Sequence, residues 1–181
     1  MDARGRPCFD RLLPVSDDYA TLPVSRAFTW DDCASAAPSL GGEWYLVAFR
    51  SVQRPEADQE RLCRLDDAAH AEAAASPGFV HYFKGPANAR RECLSFCLWD
   101  SRREAREAAG KPDHVAAVSL IAETYERYTL EFLRVTKFPG EERFRFEPYD
   151  GRAGRRRDDS ERGAAVQDSA AVLALRPSLV R

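Results

Sequence analysis

The sequence predicts an α+β domain whose elements run β-α-β-β-α-β. Three observations point there. An aromatic and β-branched run opens at Glu43 behind a glycine pair; a helical pattern stopped by Ser76-Pro77-Gly78 follows; two further apolar runs flank the turn Gly85-Pro86-Ala87-Asn88.

The first strand, Glu43 to Val52, is apolar on both alternating faces and reads as buried on both. Pro55 suits the start of a helix running to Ala75, with Leu62, Leu65, Ala69 and Ala73 as its stripe. Phe79 to Lys84 is a second strand, and Glu92 to Trp99 returns beside it as a third. On the third strand Cys93, Ser95, Cys97 and Trp99 share one face, and Leu94, Phe96 and Leu98 the other. On the second, strict alternation places His81 with Phe79 and Phe83, and Val80 with Tyr82.

Ser101-Arg102-Arg103-Glu104 is a capping-box signature for a helix that ends at Gly110. A second helical piece starts near Asp113, with Val115, Val118, Ile121, Ala122 and Tyr125 as its stripe. Alternation from Tyr128 to Val135 gives the fourth strand. This is the ferredoxin-like, split βαβ order. The domain spans residues 43–137, between an extension over 1–42 and another over 138–181.

In the first extension, Phe28 and Trp30 are expected to anchor an arm across the domain, with a brief helix capped by Asp31 running to Ala37. In the second, Phe144-Arg145-Phe146 predicts a short edge strand. Residues 151–163, with Arg155-Arg156-Arg157-Asp158-Asp159, read as a solvated disordered segment, and Ala170 to Leu175 as a short docking helix.

Among 181 residues, 27 basic and 29 acidic side chains leave a net charge of −2, which excludes a nucleic-acid-coating or acidic-tail protein as a whole-chain reading. At 44% hydrophobic the chain can bury a core, yet its longest apolar run is far below the roughly 20 residues of a membrane span. The third strand is too apolar for an RNA-stacking platform. Five cysteines without a CxxC pair, behind the charged start MDARGRPCFDRLL, predict free thiols in a reducing cytoplasm. Partners are therefore expected to be neither nucleic acid nor membrane.

Gly78-Phe79, the hairpin and Ser95-Phe96-Cys97-Leu98-Trp99-Asp100-Ser101 together resemble the antibiotic-biosynthesis-monooxygenase-like superfamily of dimeric α/β barrels. The strings GEWYLVAFRSV, DDAAHAEAAASPGFVHYFKGP and YERYTLEF look like an uncharacterised branch of it. The resemblance implies a homodimer whose two open sheets pack face to face, and a pocket between sheet and helices in each copy. Members include oxygenases of polycyclic phenols that use neither metal nor flavin, and haem binders. Haem-degrading members carry an asparagine where this chain has Phe49 and a histidine near Val118 or Ser119, so both groups are missing here. The strand-ending Trp99 does match and carries a pocket-lining role.

The function expected is that of a cofactor-independent, monooxygenase-like protein that binds an aromatic or polyketide-like molecule, with no metal. Trp99, Phe49, Phe83, Cys97, His114 and Tyr125 would form the pocket. His81 would be the general base, since an imidazole pKa is tunable around neutrality; its alternative role is that of a hydrogen-bonded core or rim histidine. His114 is either a capping residue or a relay to Tyr125 or Tyr128. His70 with Asp66 and Asp67 reads as a solvated helix face, a metal site there lacking a visible fourth ligand. The alternatives for the whole protein are a non-catalytic small-molecule-binding homodimer or a haem-binding protein.

Overall fold

The computed structural model describes residues 9–39 and 41–149. Cys8, the arginine-rich run and the helix expected over Ala170 to Leu175 lie outside the described residues. Strands β1 (Gly42–Gln53), β2 (Phe79–Phe83), β3 (Glu92–Trp99), β4 (Tyr125–Lys137) and β5 (Arg145–Pro148) form one antiparallel sheet in the order β2-β3-β1-β4-β5. The fold is ferredoxin-like, with β5 added where the Phe144 patch predicts an edge strand.

Before the sheet, the chain makes single turns at Phe9–Arg11 and Tyr19–Thr21, then the short helices α1 (Val24–Ala27) and α2 (Trp30–Ser35). Thr29, not Asp31, occupies the N-cap position of α2. Helix α3 (Gln59–Ala74) follows β1. It begins four residues after Pro55, where the Asp58 carboxylate accepts the Arg61 amide at 2.9 Å. Gly78, at φ +73°, carries the turn into β2, a conformation that disfavours a side chain. Helix α4 (Arg102–Ala109) is capped by Ser101 as predicted, the Glu104 amide reaching its hydroxyl at 3.3 Å. Then come α5 (Pro112–Ser119), begun by Pro112 at its first turn, and the single turn α6 (Ile121–Thr124). Strand β4 starts at Tyr125, three residues before the expected alternation.

The two faces of β1 are covered by different parts of the chain. Its even-numbered face meets the arm: Phe9, Leu12, Phe28, Trp30 and Cys33 are buried against Trp44, Leu46, Ala48, Leu94, Phe96 and Leu98. Phe28 lies edge-on to Phe96 at 4.9 Å, and the Trp30 indole N–H donates to the Val24 carbonyl at 2.8 Å. Cations from the sheet tie the arm down. The Arg50 guanidinium, paired with Glu131, donates to the carbonyls of Ala20 and Leu22 at 2.7 and 2.6 Å, and Lys137 donates to that of Pro38 at 3.3 Å. The odd-numbered face meets the helices, with Tyr45, Val47 and Trp99 packed on Ala105 and Ala108 of α4. In this chain the sheet face that the resemblance assigns to a second copy is thus covered by the chain's own residues 9–35.

The arm is therefore core material. Trp30→Ala should lower the unfolding free energy by about 3–5 kcal/mol in denaturant titrations, whereas Val15→Ala, on the arm but half exposed, should stay within about 0.5 kcal/mol. Equal effects from the two would contradict the placement.

Candidate functional site

Helix α3 crosses the odd-numbered sheet face without burying a single residue of its own. Its stripe, Leu62, Leu65, Ala69 and Ala73, ends in small side chains and faces a cavity of about 720 Å³ instead of a packed layer. α5 and α6 close the far side with Ala117, Val118 and Ile121, and the floor is Phe49, Ser95, Cys97 and Trp99. The Trp99 indole donates to the Cys97 sulfur at 3.0 Å and lies edge-on to Phe79 at 5.3 Å.

Of the residues singled out from sequence, Phe49, Cys97, Trp99, His114 and Tyr125 all line this cavity. His81 and Phe83 do not. The β2–β3 register shifts between Phe79 and His81, so β2 does not alternate strictly. Phe79 and Tyr82 face the cavity, while Val80 and Phe83 pack under the arm. Phe83 meets Phe28 at 4.7 Å, and the His81 ring sits 5.8 Å from Phe96. His81 is therefore a half-buried histidine on the arm side of the sheet and cannot serve as a base within the cavity. Burial pulls its pKa down to about 4, against the pull of Asp10, and its Nε2 is buried without a hydrogen-bond partner.

Strict alternation also hid the polar end of the cavity. The Tyr82 hydroxyl donates to Asp66 Oδ1 at 2.8 Å. Lys84 Nζ lies 2.9 Å from Asp66 Oδ2 and 2.7 Å from Asp67 Oδ1. The His70 ring sits 4.9 Å from that of Tyr82. Asp66 and His70, expected on a solvated face, both line the cavity, His70 remaining exposed to solvent. A signal was present: Leu62, Asp66, Ala69, His70 and Ala73 recur at helical steps of three and four, so the polar pair shares the apolar stripe.

The ionisable groups here are held neutral where burial dominates. Tyr125 is pushed up to about 12, and Tyr82 and Tyr128 higher still, chiefly by burial. Burial raises Cys93 and takes Cys97 to about 12, so neither is a thiolate near neutrality and neither is poised as a nucleophile. Burial lowers His114, with Glu72 opposing; the Glu72 carboxylate also accepts the Asp113 and His114 amides, each at 3.1 Å, and so holds α5 against α3. Lys84 is the exception. Burial works against its charge, but the Asp67 and Asp66 carboxylates outweigh it and raise the pKa. Among the described residues no group of three or more His, Cys, Asp or Glu is placed to hold a metal ion, and no helix is long and apolar enough to cross a membrane.

The model of the PB2B2.08-like family matches residues 7–148, and the chain belongs to that family. It is similar to the UPF0643 protein PB2B2.08 of Schizosaccharomyces pombe (strain 972 / ATCC 24843), with 27% identity over 128 residues that cover 62% of this chain. The chain spans 58% of that relative's length. Among solved structures it is similar to Rv0793 from Mycobacterium tuberculosis, at 22% identity and a TM-score of 0.44 over 52% of this chain and 95% of that one. SnoaB, a cofactor-independent oxygenase from Streptomyces nogalater, matches at 16% identity and a TM-score of 0.41, over 54% of this chain and 94% of that one. A dimeric ferredoxin-like protein of unknown function from Thermobifida fusca matches at 18% identity and a TM-score of 0.42, over 50% and 90%.

The neutral His81 gives stability a pH signature. Its folded pKa, about 4, lies below the ordinary value of 6.5, so the unfolded chain binds more protons between the two and stability falls as pH drops through that window. Between pH 6.5 and 5 the loss from His81 is roughly 1.5 kcal/mol, with His114 adding in the same direction. The carboxylates of Asp67, Glu92 and Glu126, whose pKa values are lowered, release their share only at lower pH. Denaturant titrations of His81→Leu over this range should show a flatter profile than the parent; an unchanged slope would refute the assignment.

Proposed function

We propose that this member of the PB2B2.08-like family binds an aromatic or polyketide-like small molecule in the cavity between sheet and helices. The observation that carries the reading is the mismatch between α3 and the sheet. A sixteen-residue helix with an apolar stripe and no buried residue encloses about 720 Å³, lined by Phe49, Phe79, Trp99 and Tyr128. Small-molecule sites commonly measure roughly 300–1,000 Å³ and combine apolar walls with a few polar groups. The free thiols at Cys63, Cys93 and Cys97 support a reducing, cytoplasmic setting.

A second reading, monooxygenase-like oxidation without cofactor, is favoured by one further observation: His70, Asp66 and Tyr82 line this cavity together. His70 would take over the base role expected of His81. It would remove a proton from an anthrone-type CH₂ or a phenol, and the carbanion or phenolate so formed would pass an electron to O₂. For the anthrone, recombination and loss of water turn CH₂ and O₂ into C=O and H₂O.

Titration of naphthols and anthrones should quench Trp99 fluorescence in a Trp30→Phe, Trp44→Phe background, and Ala69→Trp, which fills the cavity, should abolish the response. Absence of saturable quenching across the set would end the binding reading. For the oxygenase, aerobic turnover of an anthrone should vanish without O₂ and fall at least tenfold in His70→Ala, while binding changes little.

The homodimer belongs to this proposal too, but through a surface other than the even-numbered sheet face, which residues 9–35 already cover. The cavity lies within one chain and does not need the pairing. Cross-linking at cysteines placed on Leu94 or Leu98 should fail in the folded protein; efficient cross-links there would mean that the arm leaves its seat and the sheets pair.

A further inference from the structure

The charge at the polar end of the cavity selects the class of molecule it takes. Resting on the small-molecule reading above, we infer that the cavity admits a neutral aromatic ligand that donates a hydrogen bond, a phenol in the simplest case. It rejects an aromatic carboxylate of the same shape, and Asp66 sets that preference.

Lys84 is the only lysine or arginine among the described residues that line the cavity. Its ammonium is committed to two carboxylates, 2.9 Å from Asp66 and 2.7 Å from Asp67. One cation against two anions gives the Lys84–Asp66–Asp67 cluster a charge of −1, with Asp66 on its cavity side and Asp67 exposed. An incoming carboxylate would lose water beside Asp66 and find no uncommitted lysine or arginine to replace it.

The donors around the cavity are committed as well. The Tyr82 proton is spent on Asp66 at 2.8 Å, so the phenol oxygen is left to accept. The Trp99 N–H is spent on Cys97, and the Cys93 S–H on the Gly85 carbonyl at 2.8 Å. Tyr125 and Tyr128 stay protonated because burial raises both pKa values. Their hydroxyls can donate or accept, but as neutral groups they do not balance a second negative charge. His114, whose pKa burial lowers, does not supply a cation near neutrality either. A ligand hydroxyl reaching Tyr82 would complete the chain ligand–Tyr82–Asp66–Lys84, each donor facing an acceptor.

The test is calorimetric titration of the full chain at pH 7 with 2-naphthol and 2-naphthoate, alike in ring system and opposite in charge. The parent protein should bind naphthol at least tenfold more tightly. Asp66→Asn removes a negative charge and should shrink that ratio severalfold, mainly by improving naphthoate. Lys84→Gln removes the cation and should widen it, so the two variants move in opposite directions and a general loss of structure cannot imitate them. Equal or tighter naphthoate binding by the parent, or a ratio indifferent to both substitutions, overturns the selectivity and leaves the cavity reading standing. Binding of neither probe overturns the cavity reading, and the selectivity with it.

Discussion

Strand β1 carries large apolar side chains on both faces, and covering both is the constraint the rest of the domain answers. Trp44, Leu46 and Ala48 project one way, Tyr45, Val47 and Phe49 the other. A single layer of helices can serve only one of these faces. The other would leave Leu46, Leu94, Phe96, Leu98 and Val135, all fully buried here, open to water. At about 25 cal/mol per Å² of apolar surface, such a face requires a second layer. Residues 9–35 supply it from within the chain.

The way that layer is fixed explains its precision. Its turns and helices span only three to six residues, too short to hold shape by their own hydrogen bonds. Aromatic contacts give it area but little direction. Direction comes from Arg50, a cation on the sheet whose guanidinium takes two carbonyls from the turn around Tyr19–Thr21 while Glu131 balances its charge. Carbonyls that a short turn leaves unpaired thus gain charged donors, and the arm is held at a defined position.

The order of elements was legible because each boundary has local chemistry: glycines before β1, Ser76-Pro77-Gly78 after α3, the Ser101 cap before α4. The anchors Phe28 and Trp30 were legible as apolar residues in a polar stretch. The cavity floor was legible too, since β3 alternates without interruption and Cys97 and Trp99 fall on one face. The side assignment of β2 was not. One shifted register step carries His81 from the expected cavity side to the arm side and exchanges it for Tyr82, and no residue type in Phe79 to Phe83 announces a bulge. Nor does periodicity separate a helix stripe that packs from one that roofs a void, because Leu62, Leu65, Ala69 and Ala73 fit both.

A stripe that thins from leucine to alanine along α3 withdraws volume where β2 and β3 pass beneath, and the withdrawn volume is the cavity. On a packed interface Asp66 and His70 would be costly among apolar side chains. Beside a void they are tolerable, because Tyr82 and Lys84 reach up from the sheet to meet Asp66 and the remaining polarity faces open space. Polar groups on the apolar stripe of a helix are thus informative in themselves: either they are paired and structural, or they line a place where something else comes to pair with them. Here Lys84 is shared between Asp66 and the exposed Asp67, so the cluster keeps one negative charge beside the hollow that the helix roofs.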